Sequence, residues 1–103
     1  MSGEVRVLVY QAAMDESELA AVRTAYHQVS CRLAEVPGML GNELLRDPHD
    51  PTALVVVSRW ESLAAFEKWE SGDEHRADTA PLRPYRDTRT TAPFAMYEVD
   101  AAY

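Results

Sequence analysis

The sequence has little cysteine, no long apolar run and no cluster of positive charge. One cysteine, Cys31, occurs in 103 residues, so no disulfide can form within the chain. No apolar segment approaches the roughly 20 residues of a membrane-spanning helix. Lys and Arg number 10 against 17 Asp and Glu, which gives a net charge of −7. These absences argue against nucleic acid or an anionic membrane as a partner, and favour a neutral or weakly basic small molecule.

The first residues also lack the basic start and apolar centre of a signal peptide. We therefore expect a soluble, cytoplasmic protein, and the length predicts one domain over residues 1–103. Cys31 falls in a helical pattern near Val29 and Leu33, which predicts a small residue of the core or its boundary rather than a nucleophile.

Residues 54–69, LVVVSRWESLAAFEKW, are the most informative stretch. Four apolar residues lead to Trp60, and after Ser62 the apolar residues recur every third position. This pattern predicts a strand that runs directly into a helix, with Ser62 as the helix N-cap. Both faces of the strand are largely apolar, so we expect both to be covered.

The rest of the chain adds three strands and a long helix. Residues 5–11 alternate as a first strand, and Asp15 with Glu18 predicts a capped helix that Pro37 and Gly38 end. Residues 39–46 predict a second strand, kinked at Gly41 and paired with the third through a tight loop at 47–51. We expect a short turn from His75 to Thr79. Residues 81–93 should form a loop that acts as a mobile lid, and residues 94–99 should form the last strand.

The order strand, helix, strand, strand, helix, strand predicts an α+β, ferredoxin-like βαββαβ fold. Its four-stranded antiparallel sheet would carry both helices on one face. The other face projects roughly 400 Å² of sheet, for strands about 4.8 Å apart and about 20 Å long. An apolar patch of this size usually marks an interface. We therefore predict a homodimer in which two sheets enclose a shared barrel.

The run from Val55 to Trp69, with its motif W-E-S-x-x-A-F-x-x-W and the following Ser71 and His75, resembles the antibiotic biosynthesis monooxygenase (ABM) domain. That family belongs to the dimeric α+β barrel superfamily. The resemblance covers nearly the whole chain and implies the predicted dimeric fold. The family includes cofactor-free oxygenases of aromatic polyketide intermediates, haem-degrading oxygenases and proteins with no known reaction.

The resemblance implies that Trp60 lines the pocket, as the matching tryptophan does in the polyketide oxygenases. Two polar positions of those oxygenases differ here. Val56 stands where an asparagine usually assists the tryptophan, and Phe66 stands where a tyrosine is sometimes used. The haem-degrading members use a tryptophan matching Trp69 and an axial histidine ten residues later, where this chain has Thr79. His75 lies one helical turn earlier, which weakens the case for haem.

The candidate catalytic residues are His75 and Trp60. An imidazole suits proton transfer near neutral pH, and the alternative for each tryptophan is a packing role in the core. His27 and His49 are expected at the surface. The polar groups that could reach a pocket between sheet and helices are Tyr10, Gln11, Tyr26, Asn42, Arg59, Arg83 and Tyr85. We predict that a substrate contacts Phe66 and Trp69 and the polar residues Tyr26, Asn42, Arg59, Arg83 and Tyr85. We predict no metal site.

Three functions remain open at this stage. The first is a cofactor-independent monooxygenase that oxidises an electron-rich aromatic, such as a hydroquinone or an anthrone, with O₂. The second is a non-catalytic binding dimer, which the apolar Val56 and Phe66 favour. The third is a haem-binding or haem-degrading protein.

Overall fold

A computed structural model describes residues 3–92 and 94–103. The elements in chain order are β1 (Val5–Ala12), α1 (Glu16–Leu33), β2 (Met39–Arg46), β3 (Ala53–Trp60), α2 (Leu63–Glu70), α3 (His75–Thr79), a 3₁₀ helix (Ala80–Tyr85) and β4 (Phe94–Glu98). None of the helices within these residues is long and apolar enough to cross a membrane.

The four strands form one sheet in the order β2-β3-β1-β4. Each neighbouring pair is antiparallel. The predicted α+β, ferredoxin-like topology is therefore confirmed, including the hairpin of β2 and β3. The register of that hairpin shifts between Met39 and Gly41, where the sequence predicts a kink.

The two faces of β3 have different surroundings. Leu54, Val56 and Trp60 are buried beneath the helices, on what we call the inner face. Val55 and Val57 point the other way, to the open face, and are half-buried. α1 packs on Leu54 and Val56, and Phe66 of α2 packs beside Trp60. Both helices thus cover the same face of the sheet.

Both predicted helix caps are present. The Asp15 carboxylate accepts a hydrogen bond from the Glu18 backbone N–H at 2.8 Å. Glu18 accepts one from the Met14 N–H at 2.7 Å, one residue before the cap. Ser62 Oγ accepts from the Ala65 N–H at 3.0 Å. These contacts satisfy N–H groups that a helix leaves unpaired in its first turn.

α1 ends sooner than the sequence predicts, at Leu33. The next residues form tighter turns, in which the Glu35 and Val36 N–H groups bond to carbonyls three residues back. Val36 is therefore half-buried beyond the helix rather than on its apolar stripe. The prediction for Cys31 is also wrong, because this residue is exposed on α1.

Residues 80–92 have more regular structure than the predicted loop, because residues 80–85 form the 3₁₀ helix. Pro81 and Pro84 lie within the 3₁₀ helix, where the missing N–H of proline is tolerated, and Leu82 is buried in the core. The segment then bonds to β1, where the Asp87 N–H donates to the Tyr10 carbonyl at 3.0 Å. This segment therefore packs on the same face of the sheet as the helices.

Asp87 anchors the end of this segment through its carboxylate. Its Oδ1 accepts from Arg89 Nε at 2.9 Å and from the Arg89 backbone N–H at 2.9 Å. Arg89 also donates to Thr52 Oγ1 at 2.9 Å. The hydrogen bond from Arg89 lowers the pKa of Asp87 from its ordinary value, and the same contact raises the pKa of Arg89.

We expect Asp87→Asn to destabilise the fold by about 1–2 kcal/mol at neutral pH, because a charge-assisted bond is lost. The folded-state pKa is depressed, so this contribution is present above the unfolded pKa and is lost as pH falls through the folded value. Urea unfolding of the wild type and of Asp87→Asn from pH 7 to pH 2 measures the difference in their free energies of unfolding. The difference should shrink toward acid, and a difference that stays constant with pH would contradict the ion pair as its cause.

Candidate functional site

A cavity of about 290 Å³ lies between the inner face of the sheet and the helices. Its size is just under the range of about 300–1,000 Å³ usual for ligand pockets. Apolar and aromatic side chains form most of its wall. The lining residues are Val7, Val9, Gln11, Val29, Leu33, Val56, Ser58, Trp60, Phe66, Trp69, Glu70, His75, Thr79, Leu82, Arg83, Arg86 and Phe94.

Four aromatic rings form a continuous cluster on one side of the cavity. Trp60 is fully buried, and its ring stacks on Trp69 with centroids 5.3 Å apart. Phe66 meets Trp60 edge-on at 5.4 Å. His75 meets Trp69 edge-on at 4.6 Å. One ring of the cluster comes from β3, two come from α2 and one comes from α3.

The His75 side chain is half-buried at the start of α3. Its imidazole makes no hydrogen bond with any residue that the structure describes, so both ring nitrogens are available to a ligand. Its position against Trp69 holds the ring at the cavity wall. An imidazole in this setting can accept a proton from a bound molecule.

Two buried polar side chains reach the cavity from the sheet. Ser58 Oγ accepts a hydrogen bond from Trp60 Nε1 at 2.9 Å. Gln11 is 2% exposed, and the carbonyls around its amide assign the amide nitrogen to their side. In this orientation it donates to the carbonyls of Leu82 at 3.1 Å and Tyr85 at 3.2 Å. The Gln11 amide therefore fixes the 3₁₀ helix against β1.

Charged groups lie at the more exposed edge of the cavity. Arg83 donates to Thr79 Oγ1 at 3.0 Å, and Arg86 and Glu70 are exposed. Behind the aromatic cluster, Trp69 Nε1 donates to the buried carboxylate of Asp78 at 2.9 Å. The Trp69 ring is thereby fixed from both ends, by stacking and by this hydrogen bond.

The structure brings five of the predicted site residues to one cavity. These are His75, Trp60, Phe66, Trp69 and Arg83.

Four other predicted residues do not line this cavity. The Tyr26 hydroxyl donates to the Asn42 carbonyl at 3.2 Å, and the Asn42 side chain accepts from Ser30, so this pair joins α1 to β2. Arg59 lies on the open face, near the Leu40 carbonyl. Tyr85 packs against the core beside the cavity.

Several lining residues were not singled out as substrate contacts from the sequence. Ser58 shares a strand face with Trp60, and this alternation could have identified it. Gln11 was identified only as a polar group within reach. Arg86 and Phe94 come from segments whose approach depends on long-range packing, so the local sequence carries no signal for them.

The lining has no histidine at the position that the resemblance assigns to the axial ligand of the haem-degrading members. Thr79 occupies the position of the axial histidine, and its hydroxyl donates to the His75 carbonyl at 3.0 Å and accepts from Arg83. Over residues 3–92 and 94–103, no group of three or more His, Cys, Asp or Glu side chains is placed to hold a metal ion.

The sequence and structure are similar to those of known proteins. Protein SchA of Streptomyces halstedii is 36% identical over 81 residues, which cover 79% of this chain and 21% of that protein. The 42.8 kDa protein in the whiE locus of Streptomyces coelicolor is 35% identical over 77 residues, 74% of this chain and 19% of that protein. The chain thus spans about a fifth of the length of these relatives.

Solved structures of similar fold include SnoaB, a cofactor-independent oxygenase from Streptomyces nogalater. The TM-score is 0.75 at 16% sequence identity, over 97% of this chain and 96% of SnoaB. The sequence model for antibiotic biosynthesis monooxygenase matches residues 6–78, from the first strand through α3. The chain therefore belongs to the antibiotic biosynthesis monooxygenase family.

Proposed function

We propose that the protein is a cofactor-independent monooxygenase that oxidises an electron-rich aromatic with O₂ in the cavity described above. Anthrones and hydroquinones are the substrate class. The observation that carries the proposal is His75, whose imidazole makes no hydrogen bond to the residues described above and lies on the wall of an aromatic cavity. Family membership supports a monooxygenase-type function, and SnoaB, of similar fold, is a cofactor-independent oxygenase.

The chemistry needs a base and a dry site. With anthrone as the example, His75 takes a proton from the ring carbon opposite the carbonyl, and the resulting anion transfers one electron to O₂. The radical and superoxide then combine to form a peroxide at that carbon. Loss of water gives the quinone, so one oxygen atom enters the product and the other leaves as water. The substrate supplies all four electrons.

The other lining residues have separate roles in this proposal. Trp60, Phe66 and Trp69 form the wall against which a flat ring system packs, and exclude water from the anion. Arg83, at the cavity edge, places positive charge near the anionic substrate. The proton that His75 takes up is returned when water leaves.

An oxygen electrode tests the proposal directly. Purified protein and anthrone should consume O₂ and form anthraquinone in equal amounts, faster than anthrone does alone. An uptake rate unchanged by protein, over a series of anthrones and hydroquinones, would contradict an oxygenase. The absorption spectrum with added haemin separates the haem alternative, for which a shifted and saturable haem band is expected.

A non-catalytic binding protein is the second candidate. Val56 and Phe66 favour it, because both line the cavity and neither supplies a polar group. Such a protein would bind aromatic ligands in the same cavity without O₂ uptake.

We further propose a homodimer formed through the open face of the sheet. Leu8, Tyr10, Val55 and Val57 lie on this face, and none of the described helices covers them. At its two edges Leu45 is 43% exposed and Tyr97 63% exposed. Two copies packed face to face would bury these apolar groups, as the family fold implies.

Val57→Asp should give a folded monomer, because it places a charge at the centre of the proposed interface. Light scattering gives the mass and circular dichroism the fold. Val56→Asp, one residue away on the inner face, is the matched control. Its charge would enter the core, so we expect loss of folding instead. A wild-type monomer at micromolar concentration, or a dimer that Val57→Asp leaves intact, would contradict this interface.

A further inference from the structure

The Ser58 hydroxyl is a buried polar group of the cavity that the proposed roles leave unused. It is 8% exposed, on the central strand, and lies on the cavity wall. A serine hydroxyl can accept two hydrogen bonds and donate one. Here it accepts from Trp60 Nε1 at 2.9 Å, and it donates to no acceptor in the described part of the chain. Its proton is therefore free.

The same contact removes Trp60 as a donor to a ligand. The indole has a single N–H, and this N–H is directed to Ser58 Oγ. Trp60 thus presents only its ring to the cavity. The neighbouring wall residues Val56 and Phe66 carry no polar atoms. On this part of the wall, the serine O–H is the donor that remains.

A hydroxyl that accepts a hydrogen bond becomes a better donor, because each bond polarises the next. The low exposure of Ser58 strengthens the effect, since water does not compete at a dry site. Each of these points favours a ligand oxygen next to Ser58.

We propose that Ser58 is a substrate-binding residue whose hydroxyl donates a hydrogen bond to a phenolic or keto oxygen of the aromatic ligand, with Trp60 as the residue that positions it. This rests on the proposed function for the identity of the reaction, and it adds the residue that binds the substrate oxygen. The ligand class is a flat aromatic that carries an oxygen on the edge facing β3. The charge that develops on this oxygen after proton loss would strengthen the bond.

A pair of ligands that differ by one oxygen tests the assignment. Trp60 and Trp69 both line the cavity, so ligand binding should change their fluorescence. Ser58→Ala should weaken 2-naphthol binding by roughly threefold to tenfold, the usual effect of one hydrogen bond. Binding of naphthalene should change by less than about twofold. Ser58→Thr, which keeps the hydroxyl, should restore most of the affinity for 2-naphthol.

A second readout follows the proton on the bound ligand. A donor at the ligand oxygen favours naphtholate, so bound 2-naphthol should ionise at a lower pH in the wild type than in Ser58→Ala. Its absorption spectrum reports this directly. Ser30→Ala is the matched control, because Ser30 is a half-buried, hydrogen-bonded serine outside the cavity. It should leave both ligands unaffected.

The possible outcomes separate this inference from the proposed function. Equal losses for naphthol and naphthalene in Ser58→Ala, or no loss for either, would overturn the role of Ser58. Failure of the wild type to bind 2-naphthol would overturn it as well. Selective loss of naphthol binding without O₂ uptake would support Ser58 and contradict the oxygenase. O₂ uptake by a protein whose naphthol affinity does not depend on Ser58 would support the oxygenase and contradict the role of Ser58.

Discussion

His75→Ala should lower the rate of O₂-dependent oxidation by about 10² to 10⁴, while leaving the fold almost unchanged. The rate effect follows from removal of the proton acceptor, for which this range is usual. The small effect on folding follows from the half-buried position of the side chain and from its lack of hydrogen bonds to the described residues. Its main contact is the edge of the Trp69 ring. Turnover and thermal unfolding, measured on the same preparation, give both quantities.

The matched control is His49→Ala. His49 is exposed in the loop between β2 and β3, and no lining residue of the cavity comes from that loop. It should keep wild-type turnover. A His75→Ala protein with unchanged turnover would remove His75 from the mechanism, and Arg83, the predicted charged group that lines the cavity, would be the next candidate.

Trp60→Ala should lower the free energy of unfolding by about 3–5 kcal/mol. The ring is fully buried, contacts both Phe66 and Trp69, and its N–H is bonded to Ser58. Trp60→Phe keeps most of the apolar contact and should lower the free energy of unfolding by roughly 1–2 kcal/mol. Because most small domains are stable by only about 5–15 kcal/mol, the alanine variant is expected to be close to unfolding at 37 °C.

Urea unfolding measures these differences, with Met14→Ala as the control. Met14 is 60% exposed before α1, and its truncation should change stability by less than about 0.5 kcal/mol. If Trp60 also lines the substrate cavity, Trp60→Phe should lose more activity than its stability explains. A Phe variant with full activity and reduced stability would make Trp60 a core residue alone.

The sequence was sufficient to predict the topology because the local signals agreed with one another. The alternation in β1, the apolar run of β3, the caps at Asp15 and Ser62 and the proline-rich loop at 47–51 each indicated one boundary. When such signals are consistent, few arrangements remain. The end of α1 was missed because Val36 continues the apolar spacing, although the chain there already forms tighter turns.

The candidate site was harder to predict, since it is assembled from distant segments. Trp60, Phe66, Trp69 and His75 lie within 16 residues of one another, and the family resemblance, rather than their spacing, indicated a pocket at Trp60. Arg86 reaches it because the neighbouring Asp87 bonds to β1, and Phe94 reaches it because β4 pairs with β1 opposite Val9. Tyr26, Asn42 and Arg59 have suitable chemistry, but strand register and helix packing place them elsewhere. Residue type alone could not separate these groups.

The central claim is that this chain inserts one oxygen atom of O₂ into an aromatic substrate with its own side chains. The most direct measurement supplies anthrone and ¹⁸O₂ to the purified wild-type protein and follows the product by mass spectrometry. We expect anthraquinone with one ¹⁸O atom per molecule, formed at a rate proportional to protein concentration. Product formation at the rate of anthrone alone, whatever the protein concentration, would contradict the claim.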